Sequence, residues 1–464
     1  MDFAREFGLR PDIIEKDYAL GWVIAGIFNH RALKAEWIFK GGTCLKKCFF
    51  ETYRFSEDLD FTLTDPDHLQ EKFLMDTFIE IADWIYEQSG IEIPPDTFRF
   101  EVYQNPRGHL SVQGRIGYRG PLHKRGDLPR VKLDLTNDEL LALEPIIREV
   151  HHPYSDRPTK GFHIQCYCYE ELFAEKVRAL AERERPRDLY DVVHLYRYDD
   201  MKPDRAVVLN TLEKKCHFKG IMLPTITSLE NQPERIELES EWENMLAHQL
   251  PILPPFEQFW QELPQIFEWL YGAVPKIVAR SYPIGAQIDP TWQPPARGQL
   301  WGTKVPLEII RFAAANYLCV DLAYKGSHRL IEPYSLRRTK DGNLLLHAIR
   351  HDDKEHRSYR IDRIEDATLT KTTFVPKYTI ELNPTGPISA FADHRAFALS
   401  SSRKAIPISP RSHKTSYGPT YVIECPICGK RFTRKTNNTK LNKHKDKQGY
   451  PCYSKSGYLV DIKY

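Results

Sequence analysis

Two aspartates placed two positions apart in a predicted strand constrain this chain more than any other feature. The segment RFSEDLDFTL (54–63) alternates apolar residues with Asp58 and Asp60. On a strand, this period directs both carboxylates to one face and the apolar side chains to the core. Two carboxylates held this close repel each other, and a cation between them relieves the repulsion. Because hard oxygen ligands favour Mg²⁺ or Mn²⁺, the segment predicts a divalent metal site.

A third acidic residue, Asp134, lies in a further strand-like segment, RVKLDLT (130–136), whose alternation places Lys132 on the same face. If this strand lies beside the first, three carboxylates come together and can hold two metal ions about 3.5–4 Å apart. That geometry serves in-line attack on a phosphate, because one ion activates the attacking hydroxyl and the other offsets charge on the leaving pyrophosphate. The alternative is that the acidic strand is an ordinary exposed edge.

A glycine turn precedes the acidic strand. The segment FKGGTCLKK (39–47) carries Gly41, Gly42 and Thr43 between a short extended stretch and a helix predicted from about Leu45. Glycine lets the backbone approach a phosphate closely, and the first turn of a helix offers free N–H groups. A pair of glycines is weak evidence alone, but followed by the acidic strand it indicates a site for a nucleoside triphosphate.

Several blocks of the sequence resemble, in the family's order, the AbiEii/AbiGii toxin family of nucleotidyltransferases. They are EKDYAL (15–20), FKGGTCLKK, RFSEDLDF, KLDL and EELFAEKVRALAERERPRDLYDVVHL (170–195). The resemblance implies a polymerase-beta-like nucleotidyltransferase domain (1–150) with a helical C-terminal lobe (151–272). It also implies transfer of a nucleoside monophosphate from an NTP to RNA, notably the 3′ end of tRNA. Such proteins act as toxins of toxin–antitoxin or phage-defence systems, which implies an antitoxin protein as partner.

The resemblance also implies roles for individual residues. Asp58, Asp60 and Asp134 are predicted to bind Mg²⁺ or Mn²⁺. Lys176 is predicted to meet nucleotide phosphate, and Asp191 to complete the catalytic set. The residues predicted to bind the nucleotide are Gly41, Gly42, Thr43, Lys47, Lys132 and Lys176.

The residues around Lys176 support part of this assignment independently. A helix from about residue 170 has a buried stripe that includes Phe173 and Val177, which leaves Lys176 at the border of the stripe. The alternative for this lysine is a solvated side chain. Asp188 stands where the N-cap of the next helix is expected, so capping is its simplest role.

Two blocks nearer the C-terminus, VDLAYKGSHRLIEPYSL (320–336) and RSYRIDRI (357–364), resemble the WYL domain, a small Sm-like β-barrel of bacterial regulators and defence proteins. We therefore predict a WYL-like barrel over residues 301–381. The family's Trp-Tyr-Leu tripeptide falls on residues 344–346, which are all leucine, so two of its three residues differ. Arg360 and Arg363 are candidates for nucleic-acid binding, with ordinary surface arginines as the alternative.

The C-terminal segment CPICGKRFTRKTNNTKLNKHKDKQGYPC (425–452) has the ligand spacing of a small zinc module. We predict a zinc-finger-like unit over residues 419–464. Residues 401–464 hold 14 Lys or Arg against three Asp or Glu, although the whole chain has a net charge of only +2. This surplus indicates DNA or RNA contact through Arg431, Arg434 and Lys435; a solvated tail or a protein-binding module is the alternative. The predicted Zn²⁺ ligands are Cys425, Cys428, His444 and Cys452.

Composition bounds the class of protein. A chain of 464 residues that is 41% hydrophobic and 28% charged is typical of an α+β protein with several domains. No apolar run is long enough to span a membrane, and the N-terminus lacks the apolar core of a signal peptide, so we expect no membrane contact and a cytoplasmic location. Six of the nine cysteines are scattered, as buried thiols usually are, and residues 138–148 are predicted to be helical.

Three functions remain open at this stage. The leading hypothesis is a metal-dependent nucleotidyltransferase that acts on RNA as a toxin. The alternative from another class is a nucleic-acid-binding regulator of WYL type whose nucleotidyltransferase domain is non-catalytic. A third possibility is a nucleotidyltransferase that modifies a protein instead of RNA.

Overall fold

The computed structural model divides into two compact units, Met1–Ala392 and Asp393–Tyr464. In neither is any described helix long and apolar enough to cross a membrane. The residues that the structure describes are 2–105, 107–123, 126–158, 160–198, 201–232, 235–273, 288–289, 305, 307–382, 420–434, 438–446, 451–452 and 454–463.

A seven-stranded mixed sheet forms the centre of the first unit. Its strands are β1 (Trp37–Lys40), β2 (Asp58–Leu63), β3 (Arg99–Gln104), β4 (Leu110–Gly117), β5 (Arg130–Thr136), β6 (Ile146–Val150) and β7 (Phe162–Cys166). Their order across the sheet is β3-β4-β5-β2-β1-β7-β6. The pairs β2–β5 and β1–β7 are parallel and the other neighbours are antiparallel.

Helices cover the apolar face of this sheet. The first four helices are α1 (Asp2–Phe7), α2 (Pro11–Asn29), α3 (Gly41–Cys44) and α4 (Glu71–Ser89). The ring of Phe78 in α4 lies 6.2 Å from that of Trp37 in β1 and 5.2 Å from that of Phe100 in β3. Because side chains alternate along a strand, the aspartates of β2 and β5 point to the face opposite α4.

Among the described residues, eight further helices follow the sheet. They are α5 (Tyr169–Arg183), α6 (Pro186–Arg197), α7 (Arg205–Lys219), α8 (Ile226–Glu230), α9 (Arg235–Ser240), α10 (Trp242–Leu246), α11 (Phe256–Trp260) and α12 (Leu263–Leu270). Short turns of other helical type lie at Leu45–Phe49, Pro66–Leu69, Pro95–Thr97, Ala247–Gln249 and Ile361–Arg363.

The C-terminal part of the first unit is a helix and an open antiparallel sheet, where the sequence predicted a barrel. Its elements are α13 (Leu307–Ala315), β8 (Leu318–Tyr324), β9 (Ser327–Arg338), β10 (Leu344–Arg350), β11 (His356–Arg360) and β12 (Ile364–Thr373), with strand order β11-β10-β9-β8-β12. Closing a barrel needs its two edge strands to pair. No ladder joins β11 to β12 within the described range 307–382, so the closed barrel is corrected to an open five-stranded sheet.

The second unit contains two small antiparallel sheets. Its strands are β13 (Thr420–Glu424), β14 (Arg431–Arg434), β15 (His444–Lys445), β16 (Pro451–Cys452) and β17 (Tyr458–Lys463). The larger sheet has the order β14-β13-β17, and β15 pairs with β16. The hydrophobic core of the second unit, among the residues described there, is the small cluster of Ile423, Cys425 and Leu441.

Two local predictions differ from the structure. The helix expected at 138–148 is absent, and part of that segment is strand β6, which pairs with β7. Residues 146–150 instead pair with β7 at the edge of the sheet, and a local sequence pattern does not indicate which sheet edge is available. Cys44, Cys48 and Cys166 are not scattered, because their sulfurs lie within 4.8 Å of one another in the core.

Candidate functional sites

The three predicted metal-binding aspartates lie together on the open face of the large sheet. In the parallel pair β2–β5, Asp60 is the register partner of Asp134, and Asp58 is the partner of Lys132. Residues in register on neighbouring strands of a sheet are side by side, so Asp60 and Asp134 are adjacent. Lys40 at the end of β1 is opposite Asp60 and completes the row.

The carboxylates of this site raise each other's proton affinity. Burial and then the neighbouring charge of Asp134 raise the pKa of Asp60 to about 6. Burial and the charge of Asp58 also raise the pKa of Asp134. Lys40 offsets part of this charge but its ammonium also lies 3.6 Å from a carboxylate oxygen of Glu139. The donor set, three partly buried oxygen acids whose charge is only partly compensated, therefore fits a divalent cation such as Mg²⁺ or Mn²⁺.

The glycine turn is built against these aspartates. Gly41 has a φ of +80°, and a Cβ there would lie 2.1 Å from Oδ2 of Asp60. A Cβ on Gly42 would lie 2.4 Å from Nη2 of Arg54. Both positions therefore need glycine. The hydroxyl of Thr43 donates to the carbonyl oxygen of Asp58 at 2.5 Å, which ties the turn to the acidic strand. The helix expected from Leu45 begins earlier, at the glycines themselves.

Asp191, predicted as a catalytic residue, is enclosed in a network of hydrogen bonds and ion pairs. Its side chain is fully buried, and both of its oxygens accept hydrogen bonds from the guanidinium of Arg54 at 2.7 Å. Burial favours the neutral acid, but Arg54 and Lys176 outweigh it and hold the pKa of Asp191 well below its usual range. Asp191 is therefore corrected to a positioning residue, because no oxygen is left to meet substrate or metal.

Lys176 is held between two buried carboxylates and is not a solvated lysine. Its ammonium lies 2.8 Å from Oδ2 of Asp191 and 3.2 Å from Oδ1 of Asp188. Its charge also reaches Asp60, whose pKa it lowers after burial and Asp134 have raised it. Asp188 is not the N-cap of α6, which is Arg185; instead it is fully buried in the ion-pair network. Lys176 thus stands beside the carboxylate site with its position fixed.

Replacing Lys176 should reduce stability as well as transfer. In Lys176→Met, Asp188 keeps Arg183 and Asp191 keeps Arg54 and the hydroxyl of Tyr53, but the cation that separates the two carboxylates in the core is lost. We expect the free energy of unfolding to fall by up to about 3 kcal/mol, because a buried ion pair loses one member. Chemical denaturation of the metal-free protein measures this. A variant as stable as the wild type would contradict the network described here.

Lys47 was wrongly predicted to bind nucleotide. Its side chain is fully buried, and its ammonium lies 2.7 Å from Oδ2 of Asp17 and donates to the Asp17 carbonyl at 2.9 Å. An ammonium enclosed in this way cannot reach a phosphate. It is a core ion pair between the glycine-turn segment and helix α2.

Sequence reasoning did not single out three basic residues beside the site. Lys40 lies in the row of Asp60, and Arg54 holds Asp191. Burial and Arg54 lower the pKa of Arg187, and the charge of Asp58 partly offsets this. The buried Nε of Arg187 has no hydrogen-bond partner among the described residues. All three occur in the blocks that carry the family resemblance, but a sequence does not indicate which of many flanking cations face the site.

A row of basic residues crosses the sheet toward Asp58. Arg99 of β3 is in register with Arg115 of β4, which is in register with Lys132 of β5. Lys132 in turn is the partner of Asp58. Arg99 and Lys132 are exposed and Arg115 is partly exposed. The row therefore offers positive charge to an anion that reaches the carboxylates from the edge of the sheet.

The predicted zinc ligands come together in the second unit. The ligand atoms of Cys425, Cys428, His444 and Cys452 all lie within 4.8 Å of one another. The Sγ atoms of Cys425 and Cys452 are 3.7 Å apart, and Sγ of Cys428 is 3.4 Å from Nε2 of His444. Nδ1 of His444 lies 2.9 Å from the carbonyl oxygen of Asn442, which orients the ring for a metal at Nε2.

The pKa of the Cys425 thiol is lowered, which favours metal binding. Desolvation raises its pKa, but the backbone N–H groups of Cys428 and Ile427 and then His444 more than offset this and bring the pKa to about 6. Because the thiolate is the form that ligates, a lowered pKa favours metal uptake near neutral pH. Two thiols and an imidazole around such a thiolate fit Zn²⁺.

The residues predicted to contact nucleic acid differ in availability. Arg360 makes two hydrogen bonds to Asp362 at 2.9 and 2.8 Å, and Nε of Arg431 lies 2.6 Å from a Glu424 oxygen. Arg363 is exposed. Arg434 lies in β14. Lys435 lies outside the described residues.

Comparison with protein families gives two matches. The family model described as "Nucleotidyl transferase AbiEii toxin, Type IV TA system" matches residues 22–262, which is more than half of the 464 residues. The WYL domain model matches residues 307–369. The first match contains the glycine turn, the three aspartates and Lys176. The second contains α13 and most of the open sheet.

Solved structures show weaker likeness. MenT4, a nucleotidyltransferase toxin from Mycobacterium tuberculosis H37Rv, is 17% identical over 56% of this chain and 84% of its own, with a TM-score of 0.36. JHP933 from Helicobacter pylori is 15% identical over 58% of this chain and 95% of its own, with a TM-score of 0.38. No curated protein matches the chain.

Proposed function

We propose that this chain, which belongs to the AbiEii family of nucleotidyl transferase toxins, transfers a nucleoside monophosphate from an NTP to an RNA acceptor, with the 3′ end of tRNA as the expected target. The chain is a nucleotidyltransferase with a WYL domain. The single observation that supports the proposed chemistry best is the register of β2 and β5, which sets Asp60 beside Asp134 next to the glycine turn.

The proposed reaction forms one bond and breaks one. The acceptor hydroxyl attacks the α-phosphorus of the NTP, a new P–O bond forms to the acceptor, and the bond to the β-phosphate breaks to release pyrophosphate. Asp58 and Asp60 would hold Mg²⁺ or Mn²⁺, which when bound offsets charge on the transferred phosphate and the leaving pyrophosphate. Asp134 orients the attacking hydroxyl and accepts its proton, a role that its raised pKa favours.

The remaining residues bind the triphosphate. Gly41 and Gly42 keep the backbone open to close approach, because any side chain there would collide with Asp60 or Arg54. Lys176 offsets phosphate charge from the fixed position between its two carboxylates. Arg187, whose buried Nε lacks a hydrogen-bond partner among described residues, adds a second cation near Asp58. Thr43 acts through the backbone of Asp58, to which its hydroxyl donates.

The basic row supports a polyanionic acceptor. Arg99, Arg115 and Lys132 follow one another across three strands and end beside Asp58. A nucleic-acid backbone lying on this row would bring its terminal hydroxyl to the carboxylates. Association should then depend steeply on salt, because each neutralised phosphate releases counterions.

Removing part of the basic row should weaken RNA binding in a salt-dependent way. For the double variant Arg115→Ala with Lys132→Ala, we expect the slope of log affinity against log salt to fall by about 1.4, at about 0.7 per lost contact for single strands. A filter-binding titration with total tRNA at several salt concentrations measures this. Lys72→Ala is the matched control, since Lys72 is exposed on α4, which covers the opposite face. An unchanged slope would show that RNA does not bind to the basic row.

The decisive experiment is transfer itself. The purified protein is incubated with each labelled NTP, Mg²⁺ or Mn²⁺, and total RNA, and the label is located on RNA or on protein. Label on tRNA supports the proposal, and label on a protein supports the alternative acceptor. The family's toxin–antitoxin description also leads us to propose an antitoxin protein that suppresses toxicity on expression, in a toxin–antitoxin or phage-defence system.

We propose that the second unit is a zinc module that contacts DNA or RNA. The four gathered ligand atoms and the basic surplus of residues 401–464 support this. The competing function, a nucleic-acid-binding WYL regulator with a non-catalytic transferase domain, would show binding by the C-terminal parts but no transfer with any NTP. The presence of all three aspartates, with Asp60 in register with Asp134, favours the enzyme.

A further inference from the structure

Helix α13 begins the WYL domain, yet it is buried against the transferase domain of the same compact unit. Glu308 and Arg311 on this helix are 8% and 5% exposed. Nη1 of Arg311 lies 3.0 Å from Oε2 of Glu51 and 3.0 Å from Oε1 of Glu308. The hydroxyl of Thr52 donates to Oε2 of Glu308 at 2.6 Å. A buried network of charge therefore joins α13 to residues 51 and 52.

The next two residues of that segment hold the transferase site. The hydroxyl of Tyr53 donates to Oδ1 of Asp191 at 2.5 Å, and Arg54 binds both oxygens of Asp191. Asp191 in turn lies 2.8 Å from the ammonium of Lys176. Four consecutive residues, 51–54, thus contact α13 with the first two side chains and Asp191 with the last two.

A second route joins the WYL domain to the same aspartate. Oδ1 of Asn316, directly after α13, lies 3.2 Å from the hydroxyl of Tyr190 and 3.2 Å from Nε2 of His194. Both belong to α6, the helix that carries Asp191. Arg197 of α6 donates to the carbonyl oxygen of Ala315 at 3.1 Å. The start of the WYL domain therefore contacts both helix α6, which carries Asp191, and the segment 51–54 that binds the Asp191 side chain.

We propose that the WYL domain is a working part of the transferase, in which Glu308, Arg311 and Asn316 are positioning residues for Lys176 acting through Asp191. This inference rests on the proposed function, in which Lys176 meets the triphosphate. Fixed position is what makes such a charge effective, because an ammonium free to move gives up part of its attraction to the substrate. A buried charge without a partner is energetically costly, so removing one residue of this network should cause the remaining charged side chains to move.

The test compares Arg311→Met with the wild type in the full-length protein. We expect the KM for NTP to rise about tenfold, within the range of coupling measured between residues of one network, while the KM for RNA stays unchanged. A purely structural defect would lower kcat with the folded fraction and leave KM as it is. Arg311→Lys should recover part of the affinity for NTP. Arg337→Met is the control, since it removes an ion pair between Arg337 in β9 of the WYL sheet and Glu381, away from α13.

Two further measurements keep the inference falsifiable. Where Arg311→Met lowers the folded yield, Asn316→Ala breaks the second route without leaving a buried charge, and the same rise in KM is expected. Hydrogen exchange of residues 186–191 in the substrate-free protein should be faster in both variants than in Arg337→Met. An unchanged KM in an active enzyme, or unchanged exchange, overturns the inference. If exchange is faster in these variants but the wild type transfers no nucleotide, the coupling between the WYL domain and α6 stands and the proposed function is overturned instead.

Discussion

Asp60→Asn should abolish nucleotide transfer while leaving the fold intact or more stable. The variant keeps the shape of the side chain but removes one charge from the triad of carboxylates. We expect activity to fall by about a thousandfold or more, because charge stabilisation by a bound metal is worth several kcal/mol in the transition state. Toxicity on expression should disappear with it. Transfer of labelled NMP with and without EDTA, and growth on induction, measure the two effects.

The difference in stability between Asp60→Asn and the wild type should depend on pH. Burial and Asp134 raise the pKa of Asp60 in the folded protein to about 6, from the ordinary value of 3.8. The fold therefore loses stability as the pH rises from 3.8 through 6, since the carboxylate ionises against its neighbours. In EDTA, Asp60→Asn should melt above the wild type at pH 7, and the difference should vanish near pH 4.

Metal binding should largely remove this difference in melting temperature. Mg²⁺ at 100 times its dissociation constant would stabilise the wild type by about 2.7 kcal/mol, because the metal binds the folded state alone. The variant should gain little. Asp83→Asn is the control, since Asp83 is exposed on α4, on the other face of the sheet. If Asp60→Asn and the wild type transfer NMP equally, the proposed mechanism is wrong, whereas inactivity of both with unaffected growth would favour the regulator.

Removal of zinc should unfold the second unit and leave the first one folded. The described core of the second unit, Ile423, Cys425 and Leu441, is too small to offset the conformational entropy of the chain. Structural zinc sites supply about 10–16 kcal/mol at neutral pH, so the fold of this unit should depend on the metal. We expect one Zn²⁺ per chain and rapid proteolysis within residues 420–463 in chelator. Metal analysis and limited proteolysis of the full-length protein test both.

Cysteine variants separate this site from other thiols. Cys425→Ser should lose the zinc and become sensitive to protease without chelator. Cys168→Ser should keep both zinc and resistance, because Cys168 belongs to neither of the two cysteine clusters among the described residues. The cluster of Cys44, Cys48 and Cys166 is fully buried in the first unit. Zinc that persists in Cys425→Ser would contradict the assignment to the second unit.

Much of the candidate site follows from local patterns in the sequence. Alternation in DLDFTL predicts that Asp58 and Asp60 share a face, and alternation in RVKLDLT predicts the same of Lys132 and Asp134. The zinc ligands follow from spacing and ligand chemistry. In the structure Asp60 pairs with Asp134 and Asp58 with Lys132 on neighbouring strands, and the four ligand atoms of the second unit lie within 4.8 Å of one another. Such features are determined by the sequence alone because strand period and ligand spacing are properties of a short covalent segment.

The fate of the lysines was decided only by the tertiary structure. Lys47 and Lys176 were both predicted from the sequence to bind nucleotide. Lys47 is enclosed with Asp17, whereas Lys176 is held beside the carboxylates by Asp188 and Asp191. A sequence shows that a lysine is charged but not which acid, distant along the chain, will neutralise it. That choice depends on packing of elements that have no fixed separation in sequence.

The same physical reason explains the larger differences. The sequence determined α+β composition, the acidic strand beside a glycine turn, and a metal-ligand set in a basic tail. Only the tertiary structure decided that the WYL sheet stays open, that residues 146–150 join β7 as a strand, and that Asn316 meets α6. Each of these depends on which edge or face is available after the other elements have packed, and no local period in the sequence encodes that.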